Sequence, residues 1–239
     1  MAHISRKELK QDRFRESLEH GAEAVLSHRQ FAAVAIALAA FVALAGFGWK
    51  MYMDRRAAKA SAALQEAMRA YDAPVQTSGQ PIDPAELSFA DDAARLASAL
   101  QEFQEAAAKY PRTNAGRTAN YYAALCLMDM GQLNQALDDL RPLENGSDQE
   151  LAGLARFQVA QIYDRTGKED ESIKLLREMA DHPTLLVPKP MVLLELAGEL
   201  QRKNVLEAAA IYNQLKKDYP GSAISDQAQR ALDELLPQT

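Results

Sequence analysis

The side chains that could bind a metal or act as nucleophiles are few in this chain and lie far apart. Its four histidines are His3, His20, His28 and His182. None of them has a second histidine or a cysteine at the spacing that zinc ligands require. Cys126 is the only cysteine, and its place in an apolar stretch is typical of a small buried side chain. The sequence therefore predicts no metal site and no cofactor.

Other arrangements that could support catalysis have a simpler interpretation. Adjacent carboxylates occur at residues 138–139, 169–171 and 233–234. Helix surfaces or turns are expected there, so we interpret these carboxylates as solvated faces and not as acid/base pairs. Gly146 and Gly153 lie between predicted helices, without the strand that a phosphate-binding loop follows. We therefore expect no enzyme activity and no small-molecule substrate.

Composition and charge narrow the class of protein. The chain has 239 residues and a formal net charge of −6, and its abundant Ala, Leu, Glu and Gln favour helices. Residues 1–59 carry ten Lys/Arg and six Asp/Glu, net +4, which leaves −10 for residues 60–239. An acidic body cannot neutralise phosphates, which argues against nucleic acid as a partner.

One apolar segment is long enough to cross a membrane. Residues 31–49 contain no charged side chain. At about 1.5 Å per residue, a helix of this length spans roughly 28 Å, close to the hydrocarbon thickness of a bilayer. Trp49 and Tyr52 stand where interfacial aromatic residues are expected. We predict a charged tail over residues 1–30 and a transmembrane helix over residues 31–53.

Two properties of this segment stay open. Ala43, Leu44 and Ala45 resemble a signal-peptidase site, so a cleaved secretory signal is an alternative to a permanent anchor. Six Lys/Arg precede the span and five follow it within thirty residues, and long domains are translocated largely regardless of nearby charge. The charges therefore do not determine the orientation.

After the span the sequence indicates helices in pairs. A juxtamembrane helix is predicted over residues 54–72 and a Pro/Gly-containing loop over residues 73–88. Five positions then recur with a period of 36 residues. They are Ala124, Leu127, Gly131, Ala136 and Leu140, repeated as Ala160, Tyr163, Gly167, Ser172 and Leu176. Small residues let two antiparallel helices approach, large residues fill the gap, and glycine permits the left-handed turn between the helices.

This pattern resembles the tetratricopeptide repeat, whose helix–turn–helix units stack into a solenoid. We predict an all-α fold in which the transmembrane helix precedes a repeat domain over residues 89–239, with about three to four helix pairs. Residues 222–236 are amphipathic, and we expect them to form a helix that caps the last repeat.

Repeats of this type bind proteins, and the first helix of each pair is expected to face the partner. Apolar, Met-containing side chains there suit adaptable peptide or protein surfaces. The candidate protein-binding groove consists of Tyr121, Leu125, Met128, Phe157, Gln161, Met191 and Leu194. Thr118, Leu154, Asp164 and Gln201 are expected on the same surface. Packing between helices is the alternative for each of them.

The layout as a whole resembles the YfgM-type ancillary subunits of the bacterial Sec translocon. The resemblance depends on the charged tail, the span that ends in Gly46-Phe47-Gly48-Trp49, the Ala-rich helix after it and the repeat pairs. It implies an inner-membrane protein with a cytoplasmic N-terminus and a periplasmic C-terminal domain. It also implies translocon subunits, a PpiD-like membrane chaperone and newly exported secretory chains as partners.

An envelope-organising scaffold is the alternative function. Tyr110-Pro111 and Tyr219-Pro220 belong to segments that also look like repeats of periplasmic proteins associated with the Tol system or with outer-membrane assembly. Such proteins carry a cleaved signal or a lipidated cysteine, so this alternative requires cleavage near Ala45. A membrane scaffold that faces the cytosol is a third possibility, because the charges leave the orientation open.

Overall fold

The computed structural model describes residues 29–76 and 87–235. Within these residues there are nine α-helices, and the only β-structure is an isolated bridge between Val75 and Phe89. The predicted tail lies outside the described residues except for its last two positions, as does most of the loop predicted over residues 73–88. The helices are α1 (Arg29–Tyr71), α2 (Asp92–Lys109), α3 (Asn114–Asp129), α4 (Leu133–Leu140), α5 (Gln149–Arg165), α6 (Glu169–Asp181), α7 (Lys189–Leu200), α8 (Val205–Asp218) and α9 (Ala223–Leu235).

The first helix, α1, is 43 residues long and contains the apolar segment. Its large hydrophobic side chains between Phe31 and Trp49 each expose 63–75% of their surface. By length and composition the helix is apolar enough to cross a membrane. The chain divides into two compact units, Met1–Arg55 and Arg56–Thr239, and α1 contributes residues to both. We name Arg56–Thr239 the repeat unit.

The repeat unit is built from antiparallel helix pairs. α3 and α4 form one pair and α5 and α6 the next. Each of these pairs is joined by a tight turn, at Gly131 or Gly167, and both glycines have a φ of 75°. Glycine adopts this left-handed backbone at little cost, and the predicted glycine turns are confirmed. The third pair, α7 and α8, has a turn without glycine, in which the Asn204 side chain accepts a hydrogen bond from the Glu207 amide.

Small side chains allow the helices of a pair to pack closely. Ala124, Ala136, Ala160 and Ser172 are fully buried, as the 36-residue pattern predicts. Larger apolar side chains such as Leu140 fill the remaining space. Burial of apolar surface contributes about 25 cal/mol of free energy per Å², and this burial holds each pair together.

Two Tyr-Pro sequences form the same kind of connection between helices. The Tyr110 amide closes the last turn of α2, and its carbonyl accepts a hydrogen bond of 2.9 Å from the Thr113 hydroxyl. The Thr113 oxygen also accepts from the amide of Gly116 and so caps α3. Tyr219 and Ser222 make the equivalent contacts between α8 and α9.

Further helices cover both ends of the stack of pairs. Ala228 and Leu232 of α9 join the core formed by α7 and α8, as expected of a capping helix. Ala67 and Ala70 of α1 pack with α2 and α3 around Phe103. The predicted all-α repeat fold with a C-terminal capping helix is confirmed.

Candidate functional site

Three of the seven residues selected from the sequence are buried between helices. Tyr121 and Met128 pack in the core shared by α3, α4 and α5. Phe157 packs in the core that runs from α5 to α9. The folded repeat unit therefore offers little of these three side chains to a partner.

The other four lie at the edge of the core. Leu125, Met191 and Leu194 are half-buried and pack against buried residues. Gln161 of α5 is also half-buried, and its side-chain amide donates a hydrogen bond of 3.4 Å to Glu195 of α7. Each of these four side chains can contact the core on one side and a partner on the other. That the seven predicted residues bind a partner stays a prediction.

A regular stripe of partly or fully exposed side chains follows the first helix of each pair. On α3 its positions are i, i+4, i+7 and i+11, the spacing of one helix face. The stripe recurs 36 residues later on α5, and after a further 37 residues on α7 and the turn that follows it. We name it the first-helix face, and its members are Thr118, Tyr122, Leu125 and Asp129, then Leu154, Gln158, Gln161 and Arg165, then Met191, Glu195, Gly198 and Arg202.

The sequence analysis missed several members of this face. Tyr122, Gln158 and Glu195 occupy equivalent second positions on the three helices. The signal that could have revealed them is the repetition of the i, i+4, i+7, i+11 spacing at the period of the repeat.

Hydrogen bonds join neighbouring first helices along this face. Gln158 of α5 donates to the hydroxyl of Tyr121 on α3 at 3.4 Å. Arg165 of α5 donates to the backbone carbonyl of Met128 at 3.4 Å. The contact between Gln161 and Glu195 continues the series to α7. The three helices therefore form one continuous surface.

One end of the face, near the α5–α6 and α7–α8 turns, carries a network of ion pairs. Arg202 pairs with Asp164 and, at 3.5 Å, with Glu169. Lys203 pairs with Glu169 at 3.4 Å and also with Asp170. Because all five side chains are at least partly exposed, each pair contributes little to stability. Together they join the two turns.

The centre of the face is less polar than this end. Burial raises the pKa of Glu195, the hydrogen bond from Gln161 opposes the rise, and the Asp164 carboxylate adds to it. At Gly198 a Cβ would have only the Tyr212 hydroxyl within 4 Å, at 3.9 Å. The centre thus combines half-buried apolar side chains with amide groups and the Glu195 carboxyl.

An aromatic cluster lies at the α3 end of the face. The Tyr122 ring stacks on Phe103 of α2 with 5.4 Å between ring centres. It meets Tyr71 of α1 and Tyr121 edge to face, at 5.9 and 5.6 Å. The Arg95 guanidinium lies 5.6 Å from the centre of the Tyr71 ring. These geometries are the ones that aromatic pairs favour, so the half-exposed Tyr122 is held rigidly.

The sequence analysis also missed Glu199, a buried acid on α7. The Ser172 hydroxyl lies 2.7 Å from the Ala160 carbonyl and 2.6 Å from one oxygen of Glu199. A hydroxyl has one proton, and the carbonyl can only accept it, so the second hydrogen bond requires a proton on Glu199. Within the described residues the other Glu199 oxygen is buried without a partner, which also favours the neutral acid. An acid inside the apolar stretch of residues 192–200 is the signal that could have revealed it.

Groups suited to metal or thiol chemistry are not assembled in the part of the chain that the structure describes. No cluster of three His, Cys, Asp or Glu side chains there could hold a metal ion. The Cys126 thiol is buried, and burial, together with the Asp129 carboxylate, raises its pKa to about 11. Cys126 is therefore protonated at neutral pH and packs as an apolar side chain.

Comparison with known proteins agrees with the repeat architecture. No curated protein and no solved structure matches the chain. A family model described as a tetratricopeptide repeat-like domain matches residues 28–183, which is more than half of the chain and includes α1 to α6. Domains of this kind are typically non-catalytic modules that bind other proteins. This chain belongs to the family of tetratricopeptide repeat-like domains.

Proposed function

We propose that this protein is a non-catalytic, membrane-anchored module that binds other proteins through the first-helix face. The observation that carries the proposal is the continuity of this face, which three hydrogen-bonded helices build together. Repeat scaffolds use such extended surfaces to bind partners. The exposed apolar part of α1 supplies the anchor.

The face fits an extended polypeptide with apolar side chains. Tyr122, Leu125, Leu154 and Met191 offer apolar surface, and the flexible Met side chain adapts to irregular shapes. Between them, the Gln158 amide can exchange its hydrogen bond with Tyr121 for one with the backbone of a partner. This chemistry favours partners of varied sequence over one small, closely defined ligand.

We further propose that the module assists protein export at the bacterial inner membrane. The resemblance to the YfgM-type subunits of the Sec translocon supports this role, together with the apolar helix and the repeat pairs. In this arrangement the N-terminus is cytoplasmic and the repeat unit is periplasmic. The partners are translocon subunits, a PpiD-like membrane chaperone and newly exported chains.

Site-specific photo-crosslinking in cells tests the binding face. A photoreactive amino acid at Leu125 or Gln161 should capture translocon subunits or exported chains, because both positions are half-exposed on the face. Lys174 of α6 is the matched control, since its side chain is 79% exposed on a second helix. Equal capture at Lys174, or no capture at any position, would reject the proposed face. Capture of only Tol or outer-membrane assembly proteins would support the alternative envelope scaffold.

Protease treatment of intact spheroplasts tests the orientation. Digestion of residues 60–239 is the result expected for a periplasmic repeat unit. Full protection of these residues would instead indicate a membrane scaffold that faces the cytosol.

A further inference from the structure

The loop between α6 and α7, residues 182–188, presents two exposed leucines. Leu185 exposes 87% of its surface and Leu186 56%, while the adjacent Val187 is buried. Single exposed apolar side chains are common on proteins. The significance of this pair depends on how the loop is held and on where it lies.

The loop is held firmly against the start of α5. The Glu150 carboxylate accepts hydrogen bonds from the amides of Leu185, at 3.2 Å, and Leu186, at 2.8 Å. Thr184 exchanges two hydrogen bonds with Val187, each of 3.1 Å. The backbone that carries the leucines is therefore fixed, although their side chains are exposed to solvent.

A glycine on α5 allows the loop to approach this closely. A Cβ at Gly153 would lie 2.8 Å from the Thr184 side chain, which is too close unless Thr184 or the helix shifts. The loop therefore touches α5 at Gly153 as well as at Glu150.

The loop lies at the end of the repeat unit where the chain enters it. Arg56, the first residue of the unit, donates a hydrogen bond of 3.3 Å to the carbonyl of Lys109 at the end of α2. Because consecutive helices are antiparallel, every second connection falls at this end. These connections are residues 110–113, 141–148, 182–188 and 219–222. The turns at Gly131 and Gly167 lie at the opposite end.

The chain between the apolar segment and this end is short. Arg56 follows Trp49 by seven residues, which span at most about 25 Å even when fully extended. An anchored chain would therefore hold Arg56 within about 25 Å of Trp49, and this tether gives groups at the same end of the repeat unit an effective concentration at the bilayer on the order of millimolar. Apolar contacts too weak to hold a free protein on a membrane are sufficient under this condition.

We propose that Leu185 and Leu186 insert into the lipid surface and dock the repeat unit on the bilayer at this end. The proposal rests on the anchor in the proposed function. Insertion removes exposed apolar surface from water. It requires little ordering of the loop, because Glu150 and Thr184 already hold it in place.

A polarity-sensitive fluorophore tests the docking in the full-length protein. Leu185→Cys is labelled with a nitrobenzoxadiazole maleimide and reconstituted into phosphatidylcholine vesicles. Leu206→Cys is the matched control, because Leu206 is 82% exposed but lies just after the α7–α8 turn, at the opposite end. The native Cys126 is buried and does not compete for the label.

The probe at position 185 should emit at shorter wavelength than the probe at position 206. Its quenching by nitroxide-labelled lipids should be several-fold greater. Water-like emission at position 185 would overturn the docking and leave a protein partner as the occupant of the loop. Equal quenching at both positions would also overturn the docking, because the lipid would then contact the loop no more than the opposite end of the repeat unit.

A third labelled position separates this proposal from the anchor. Phe41→Cys lies within the apolar segment of α1. Quenching at position 41 without quenching at position 185 would reject the docking alone. No quenching at position 41 would reject both the anchor and the docking.

Discussion

The Glu199 carboxyl lies 2.6 Å from the Ser172 hydroxyl in the interior of the repeat unit. Burial raises the pKa of Glu199 from 4.5 to about 7, and the carboxylates of Asp164 and Glu195 add to the rise. The rise is opposed by the Ser172 hydroxyl, which can donate to the ionised carboxylate, and by Arg202. Between these values the folded chain holds a proton that the unfolded chain releases. Stability therefore falls as the pH rises from about 4.5 to about 7, and the contribution of the neutral acid is complete only below this range.

Glu199→Gln should remove this pH dependence. The glutamine amide can still donate to Ser172 but does not ionise. The variant should be more stable than the wild type at pH 8 by about 1–3 kcal/mol, since one pKa unit corresponds to about 1.4 kcal/mol. Urea unfolding at pH 5 and pH 8, followed by circular dichroism, measures the difference.

The control for this prediction is Glu178→Gln, which changes an exposed acid on α6. It should shift the free energy of unfolding little at either pH. If Glu199→Gln differs from the wild type by the same amount at pH 5 and pH 8, Glu199 does not change its proton occupancy on folding, and the neutral buried acid is contradicted.

At the scale of the helix pair, glycine has opposite effects in a turn and in a helix. Gly167 has a φ of 75° and nothing within 4 Å of a Cβ placed there. Gly167→Ala should therefore destabilise the fold by about 1–2 kcal/mol through the backbone alone. Gly198→Ala, inside α7 and without a clash, should stabilise it by about 0.5–1 kcal/mol. Chemical unfolding measures how each variant changes the free energy of unfolding. A change in the same direction for both variants would contradict the assigned turn.

The helix pairs could be predicted from the sequence, whereas the side of each helix that is exposed could not. Turns and close helix contacts require particular residue types, which the 36-residue pattern displays directly. By contrast, α3 packs against α2, α4 and α5, so apolar residues are needed on most of its sides. Tyr121 and Tyr122 are chemically alike, and only the packing shows that Tyr121 is buried while Tyr122 is half-exposed.

Over the whole chain, the order of the elements follows from the sequence but the non-local contacts do not. An uncharged run of nineteen residues and a repeated helix pattern are sufficient to predict an apolar helix followed by repeat pairs. The contact between Glu150 and Leu186 joins residues 36 positions apart. It depends on the placement of a loop that no periodic pattern describes. Glu199 was missed for the same reason, since its partner Ser172 lies on another helix.

The membrane-anchored function and the docking loop both depend on an anchor that remains attached to the repeat unit. The alternative envelope scaffold requires cleavage near Ala45, within α1, and would release the repeat unit from the membrane. The state of the apolar segment therefore separates the two functions more directly than any measurement on the repeats.

Mass spectrometry of carbonate-washed membranes gives this measurement. Trypsin cleaves after Arg29 and Lys50 and at no position between them, so an intact anchor yields one peptide of residues 30–50. We predict this peptide in the washed membranes, together with peptides of the repeat unit. A peptide that begins near Gly46, with the repeat unit recovered in the soluble fraction, would contradict the membrane-anchored function.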